Sequence, residues 1–516
     1  MIRIGCRGLS PAGNFVSALA LVIALVVVMA LGSAGAGICA AGSDDAAIPE
    51  TPAGRHFAKI IAFINAGDST GLRAYAAENF TPGMLRTSPN DPGILGFLIE
   101  QHANFGGWDV IRALDSAPEQ VGMLVRSRRD AARTLRYVVG AEREVPHRVS
   151  GIFLFPAPAD ATGSEAPPLS AEDAIAELDR VVSSLADDGR FSGALLLARN
   201  GEPVLRRAHG EADRAFHAPN RAETLFSLAS TSKMFTGVAI ARLVETGRLG
   251  WDDTVAQHLD GWLAPEIAAR VTVRQLLTHT SGLGDYLDQV FDGETMRLFP
   301  DVASYQPLCA RAEIAGAPGA EFRYSNLGYV VLGAIIEKVS GRDYYGFVRD
   351  EVFARAGMTR TAWYENDAVI ADRAVGYCRA REIGREGEGW YTNGLAHGLR
   401  GTPAGGAYSN VDDLLAFANA LTRHQLVAAA TTDSLLAPRI ATPMGGDYGY
   451  GFSIERGRGG ARNVGHSGGF PGVGASVRIS LDSGWTLIVL SNLTDGASEV
   501  VETWRGLAAR ITAANR

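Results

Sequence analysis

The spacing of apolar residues changes along the chain and divides it. Phe57, Ile60, Ile61 and Ile64 recur at three- and four-residue intervals, the period of one helix face, and "NAGD" ends the run. Further helices are expected over 69–78 and 91–104. The strand-like runs "VGMLVRSR", "TLRYVVGAE" and "HRVSGIFLF" follow. Helices before a meander predict a small α+β domain over 44–155. The Pro- and Ala-rich stretch at 156–173 reads as a linker. Beyond it, "GALLLAR" and "PVLRRAHG" flank Asn200-Gly201, a pair that favours the positive φ of a tight hairpin turn. Helical periodicity dominates from about residue 230 to 435. Strands return in "GYGFSIE", "GASVRISL" and "WTLIVLSN", and a last helix is expected over 497–512. Strands at both ends of 174–516 with helices between them predict one sheet that joins the ends.

Residues 1–41 have the pattern of a targeting segment. Arg3 and Arg7 precede the apolar run "ALALVIALVVVMAL", and Ala34-Gly35-Ala36 offers a cleavage site. The run is short for a bilayer span. The expectation is an exported protein, periplasmic or extracellular, with no stable membrane span after cleavage. An uncleaved N-terminal anchor is the alternative. Ile38 before Cys39 fits a lipoprotein site poorly.

Composition is that of a globular chain, 47% hydrophobic and 20% charged. A net charge of −8 offers no basic face for nucleic acid. The basic stretch "RSRRDAARTLR" reads as a strand face and turn. Cys309 and Cys378 lie beyond the targeting segment, as a disulfide or as two buried thiols.

"GHSGGF" at 465–470 matches G-x-S-x-G, the nucleophile elbow of α/β-hydrolases. An elbow needs a helix after the serine and a histidine later in the chain. Pro471, Gly472 and a strand follow instead, and His466 is the last histidine. Ser467 therefore has no base downstream. P-loop, C-x-x-C, H-E-x-x-H and dinucleotide-binding patterns are absent, so no cofactor or metal is expected.

Lysine usage points elsewhere. Of 48 basic residues only Lys59, Lys233 and Lys338 are lysine. A lysine can give up its proton near neutral pH, and an arginine cannot. Lys59 and Lys338 fall on polar faces of amphipathic helices. Lys233 lies in "SLASTSKMFTGVAIARLVETGRLG", read as a helix from about Ser230 to Thr246 stopped by Gly247. Ser230 and Lys233 are then one turn apart, so a desolvated amine could activate the hydroxyl. S-x-x-K alone is equally what an N-cap serine followed by a surface lysine would write.

Two more stretches add to it. Tyr324 and Asn326 sit before a helix in "YSNLGYVVLGAIIEKVSG", and His466 and Gly468 sit in "GHSGG". S-x-x-K, Y-x-N and H-x-G in this order resemble the penicillin-recognising serine hydrolases, which include class C β-lactamases, D-Ala-D-Ala carboxypeptidases and esterases. "LLTHTSGL", "AGGAYSNVDDLLAFANAL" and "YGYGFSIE" resemble segments of the same family, over about 180–510. "THTSG" reads as structural, and Ser409 as an N-cap with Asp412 at N3. The first part of the chain also has a likeness: "FINAGDSTGLRAY" resembles the opening of cone-shaped NTF2-like domains.

The resemblance implies an α+β fold, an antiparallel sheet flanked by helices with an all-helical subdomain. It implies that Ser230 is acylated and that Lys233 and Tyr324 share proton transfer, with the acylation base left open between them. It implies that Asn326, His466, Ser467 and Gly468 line the substrate site, with Asn326 on the acyl side chain. The N–H groups of Ser230 and Gly469 would form the oxyanion hole. His466 is a departure, because β-lactamases of this kind carry lysine there to hold a carboxylate. Imidazole is mostly neutral at pH 7. The expectation is an esterase or peptidase rather than an efficient β-lactamase, acting on a small-molecule or peptide substrate. A catalytically idle binding or scaffold protein is the alternative.

Overall fold

The structure is a computed structural model. It describes residues 47–81, 84–85, 93–130, 134–143, 145–156, 168–286, 299–383, 387, 389–394, 398–442, 446–457 and 461–514. The targeting segment and most of the linker read from the sequence lie outside these residues.

The N-terminal part opens with α1 (Pro52–Ala66), whose Thr51 cap accepts a bond from Gly54 N–H at 3.1 Å and whose end is set by Gly67 at φ 66°. Its apolar stripe, Phe57, Ile60, Ile61 and Ile64, is buried as the period predicts. Helices α2 (Ser69–Asn79) and α3 (Gly93–Phe105) follow. Four strands, β1 (Trp108–Ala117), β2 (Gln120–Ser127), β3 (Thr134–Ala141) and β4 (Val149–Pro156), pair in that order as an antiparallel meander. Strand β1 was not expected from sequence. Register shifts at Val110/Arg112 and Ala113/Asp115 break its alternation. Within the basic stretch, Arg126 lies on β2, Arg128 in the bend that follows it and Arg136 on β3; Arg128 pairs with Asp109 at 2.8 Å and Arg136 with Asp115 at 2.7 Å.

The C-terminal part is built on an eight-stranded antiparallel sheet. Helix α4 (Ala171–Asp187) leads into β5 (Gly193–Arg199) and β6 (Glu202–His209). The other six strands come late: β7 (Ile440–Ala441), β8 (Asp447–Tyr448), β9 (Ser453–Arg456), β10 (Arg462–Phe470), β11 (Val473–Ser480) and β12 (Trp485–Ser491). Their order is β7-β8-β9-β10-β11-β12-β5-β6, so β12 against β5 joins the two ends, as expected. Asn200 and Gly201 turn the β5–β6 hairpin at φ 52° and 86°.

The sheet buries both faces. Leu195, Leu197, Leu487 and Val489 pack with apolar residues of α4 and of the last helix (Ser498–Ala514). Ala194, Leu196, Val464, Val477, Ile488 and Leu490 belong to the larger core shared with the intervening helices. Among these are α5 (Lys233–Glu245), α6 (Asn326–Ser340) and α7 (Val411–Thr422); the last helix is α8.

Two sequence readings are corrected, and one left open is decided. The segment at Ser230 is a 3₁₀ turn, Ala229–Ser232, before α5 begins. Asn410 caps α7, accepting from Asp413 N–H at 2.8 Å, so the cap lies one residue beyond Ser409. Ser409 exchanges a hydrogen bond with Thr361. Cys309 and Cys378 are both buried and are not joined by a disulfide.

Candidate functional site

Ser230 sits on a strained turn. Ala229, just before it, has φ 41°, a conformation that costs a residue with a Cβ on the order of 1 kcal/mol or more. The segment 404–407 holds the turn in place. Gly406 N–H donates to Ala229 O at 3.2 Å, and Leu228 N–H to Ala407 O at 2.8 Å. A Cβ on Gly405 would come within 3.0 Å of the Ala229 backbone. Strand β10 closes in from the other side, where a Cβ on Gly468 would lie 2.0 Å from Leu228 O and 3.0 Å from Ser230 N. Only glycine permits that approach. Strand β9 stops pairing at Gly465, which leaves residues 466–470 without a β9 partner on that edge.

Lys233 is fully buried, while Lys59 and Lys338 are exposed, as their helix faces predict. Its Nζ lies 3.1 Å from Ser230 Oγ, 2.7 Å from Asn326 Oδ1 and 2.6 Å from Ala404 O. Burial pushes its pKa down to about 7, against the opposing charge of Asp285. Two of the three neighbours are carbonyl oxygens, which only accept. A neutral amine has two N–H bonds and one lone pair. With both N–H bonds given to the carbonyls, the lone pair is left for the serine hydroxyl.

Tyr324 is buried beside this pair. Lys233 Nζ is 4.7 Å from its ring centroid, and the ring stacks on His279 at 4.2 Å. Burial raises its pKa, and a hydrogen bond with Ser230 only partly opposes that, so the phenol stays protonated. His279, in "THTSG", has φ 57° and accepts from Ser325 N–H at 3.0 Å through Nδ1. A backbone N–H can only donate, so the remaining proton of the neutral ring is on Nε2.

Asn326 opens α6. Its oxygen takes the lysine and its amide N–H donates to Asp285 Oδ2 at 2.7 Å, so both ends of the side chain are engaged within the protein. His466 is likewise occupied. Nε2 meets Tyr448 OH at 2.9 Å and Nδ1 meets Ser467 O. Burial first, and the charge of Lys233 second, push its pKa down to about 3. It is neutral throughout the physiological range.

The structure brings Ser230, Lys233, Tyr324, Asn326, His466 and Gly468, each named from the sequence, to one place. Ser467 differs. Successive strand residues point to opposite faces. His466 faces Lys233, so Ser467 faces the other way, where its Oγ accepts from Arg478 at 3.0 Å. Arg478 in turn pairs with Glu455 at 2.6 Å, and Glu455 with Arg505 of α8 at 2.8 Å. Gly469 is exposed, with open space where a side chain would be. Asp285, Tyr448 and the Ala404 carbonyl were missed from sequence. The only signal was the family-like segments that hold or adjoin them.

Residues 178–510 match the family described as Beta-lactamase. Penicillin-binding protein 4* of Bacillus subtilis (strain 168) is 32% identical over 329 residues, covering 61% of this chain and 71% of that protein. Esterase EstB of Burkholderia gladioli is 38% identical over 188 residues, 34% of this chain and 47% of its own. The crystal structure of a penicillin binding protein from Bacillus halodurans superposes with a TM-score of 0.59 at 32% identity, over 63% of this chain and 98% of the other. With the match spanning most of the chain and the sheet, turn and motif residues assembled as described, the chain belongs to the beta-lactamase family, the penicillin-recognising serine hydrolases.

Proposed function

We propose that this serine hydrolase of esters or amides works through an acyl-enzyme at Ser230, with Lys233 as the base that activates it. The observation that carries the reading is the pair of carbonyl acceptors, Asn326 Oδ1 and Ala404 O, around Lys233 Nζ. They leave the neutral amine's lone pair to Ser230 Oγ. Ser230 gives its proton to Lys233 as Oγ bonds to the substrate carbonyl carbon. Ser230 N–H and Gly469 N–H receive the developing oxyanion. The carbon–leaving-group bond then breaks, and the leaving group takes the proton from Lys233 by way of the Tyr324 hydroxyl. Water repeats the cycle: it loses a proton to Lys233, attacks the acyl carbon, and Ser230 regains its proton as the acid departs. Tyr324, held protonated by burial, serves as relay and not as base.

The substrate is read as a short acyl ester, a D-amino-acid peptide or a related amide, ahead of cephalosporins. His466 supports this, because a neutral ring with both nitrogens engaged provides no fixed cation for a carboxylate. The chain is further read as exported, with residues 44–155 as a separate NTF2-like domain joined by a 156–173 linker to a hydrolase domain over 174–516.

A pre-steady-state experiment tests the proposal. Mixing the protein with a 4-nitrophenyl ester of a short acid is expected to release about one equivalent of nitrophenol in a burst, then turn over slowly. Cephalosporins are expected to react more slowly. Loss of burst and turnover in Ser230→Ala supports the reading, and an undiminished burst in that variant contradicts it.

A further inference from the structure

We propose that Asp285 is a positioning residue for the Ser230–Lys233 pair: its carboxylate fixes the Asn326 amide so that the amide oxygen faces Lys233, and it provides that lysine's buried countercharge. The inference rests on the reading of Lys233 as the base.

A primary amide is nearly symmetric in shape, so its orientation has to be set by its neighbours. Asp285 settles it. An ionised carboxylate only accepts, so Oδ2, 2.7 Å from Asn326 Nδ2, demands the NH₂ end. The oxygen is then forced toward Lys233, which it meets at 2.7 Å. Without a pure acceptor at 285, the amide could turn and present its NH₂ to the amine. Lys233 would then lose one of the two acceptors that leave its lone pair to Ser230.

The residues on either side of Asp285 are tied to both of those acceptors. Gly284 O accepts from Ser325 Oγ at 2.7 Å, and Ser325 precedes Asn326. Tyr286 OH meets Thr402 Oγ1 at 3.2 Å, and the same Oγ1 accepts from Ala404 N–H at 3.1 Å. Residues 284–286 therefore brace the amide oxygen on one side and the Ala404 carbonyl on the other. Asp285 itself is only 8% exposed. A carboxylate buried this far is expensive unless it is hydrogen-bonded and matched by a cation.

The groups that face Lys233 come from several elements. His279 and His466 are neutral, since burial holds both below their usual value. Tyr324 and Tyr329, whose ring centroids lie 4.7 and 5.3 Å from Nζ, are held protonated. Among the described residues that act on Lys233, Asp285 is the carboxylate, and its charge favours the ammonium. Removing that charge disfavours protonation, so the free amine persists to lower pH.

The test is the pH dependence of kcat/KM on 4-nitrophenyl acetate for wild type, Asp285→Asn and Asp285→Glu, each checked for folding by thermal unfolding. Asp285→Asn is expected to move the acidic limb down by about one pH unit, with kcat falling more than KM changes. Asp285→Glu keeps the charge but displaces the amide, so its limb stays in place while kcat falls. An unmoved limb in Asp285→Asn, with the wild-type limb present near 7, overturns the inference and leaves the lysine reading standing. If Asp285→Asn does not fold, a shifted limb in Asp285→Glu overturns it equally. A wild-type profile flat from pH 6 to 8, or an active Lys233→Ala variant, defeats the lysine reading itself.

Discussion

The turn that carries Ser230 and the strand that carries Ser467 touch through Gly468, yet they give their hydroxyls opposite surroundings. Ser230 Oγ faces a buried amine whose other neighbours only accept. Ser467 Oγ faces a guanidinium already paired to Glu455 and, through it, to Arg505. An amine near its pKa can take a proton, whereas an arginine beside carboxylates only donates. The pentapeptide around Ser467 matches a nucleophile motif, but Pro471, Gly472 and the lack of any later histidine already told against it. The chemistry of the neighbours favours Ser230.

The largest expected effect separates these two serines. Ser230→Ala should lower kcat/KM on a short ester by on the order of 10³-fold or more, while Ser467→Ala stays within a few-fold. Steady-state kinetics on both folded variants check this, and equal losses would erase the contrast.

Lys233→Arg comes next. Arginine keeps the charge but not the base, so the loss should approach that of Lys233→Ala, about 10²- to 10⁴-fold. Substantial activity in the arginine variant would mean that position 233 needs only a cation.

Gly468→Ala sharpens the comparison at the point of contact. Its Cβ would meet Leu228 O at 2.0 Å, a backbone atom that cannot swing aside. A displacement of the turn by a fraction of an ångström is expected to cost roughly 10- to 100-fold in kcat while leaving the protein folded. Thermal unfolding and kcat together read it out.

The pH profile follows from Lys233. Its pKa is lowered to about 7, and only the unprotonated amine accepts the serine proton. Activity should therefore rise with pH through about 7, by roughly tenfold from pH 6 to 8. His466 adds no step of its own near 6, because burial holds it down at about 3. A second limb near pH 6 would show that His466 titrates.

The smallest effect is on stability. Ser467→Ala removes one acceptor from Arg478, which keeps Glu455, and should cost no more than about 1 kcal/mol. Chemical denaturation measures it.

Much of this was legible in the sequence because local patterns carried it. The Phe57–Ile64 stripe, the Asn200-Gly201 hairpin and the S-x-x-K spacing each lie within one element. The sparing use of lysine singled out the one that is buried. What was not legible depends on long-range contacts. Asp285 reaches Asn326 across 41 residues, Ala404 O reaches Lys233 across 171, and Tyr448 of β8 reaches His466 of β10, two strands away in the sheet order. Strand β1 was missed because its bulges break the two-residue period. The face on which Ser467 points depends on where β10 lies against α5, which spacing alone does not define.

The most direct test of the account is to react the protein with a fluorophosphonate and locate the phosphonyl group by mass spectrometry of the digested adduct. The account predicts a single modified serine, Ser230, and no labelling in Lys233→Ala at the same exposure. A phosphonyl group on Ser467 would contradict it.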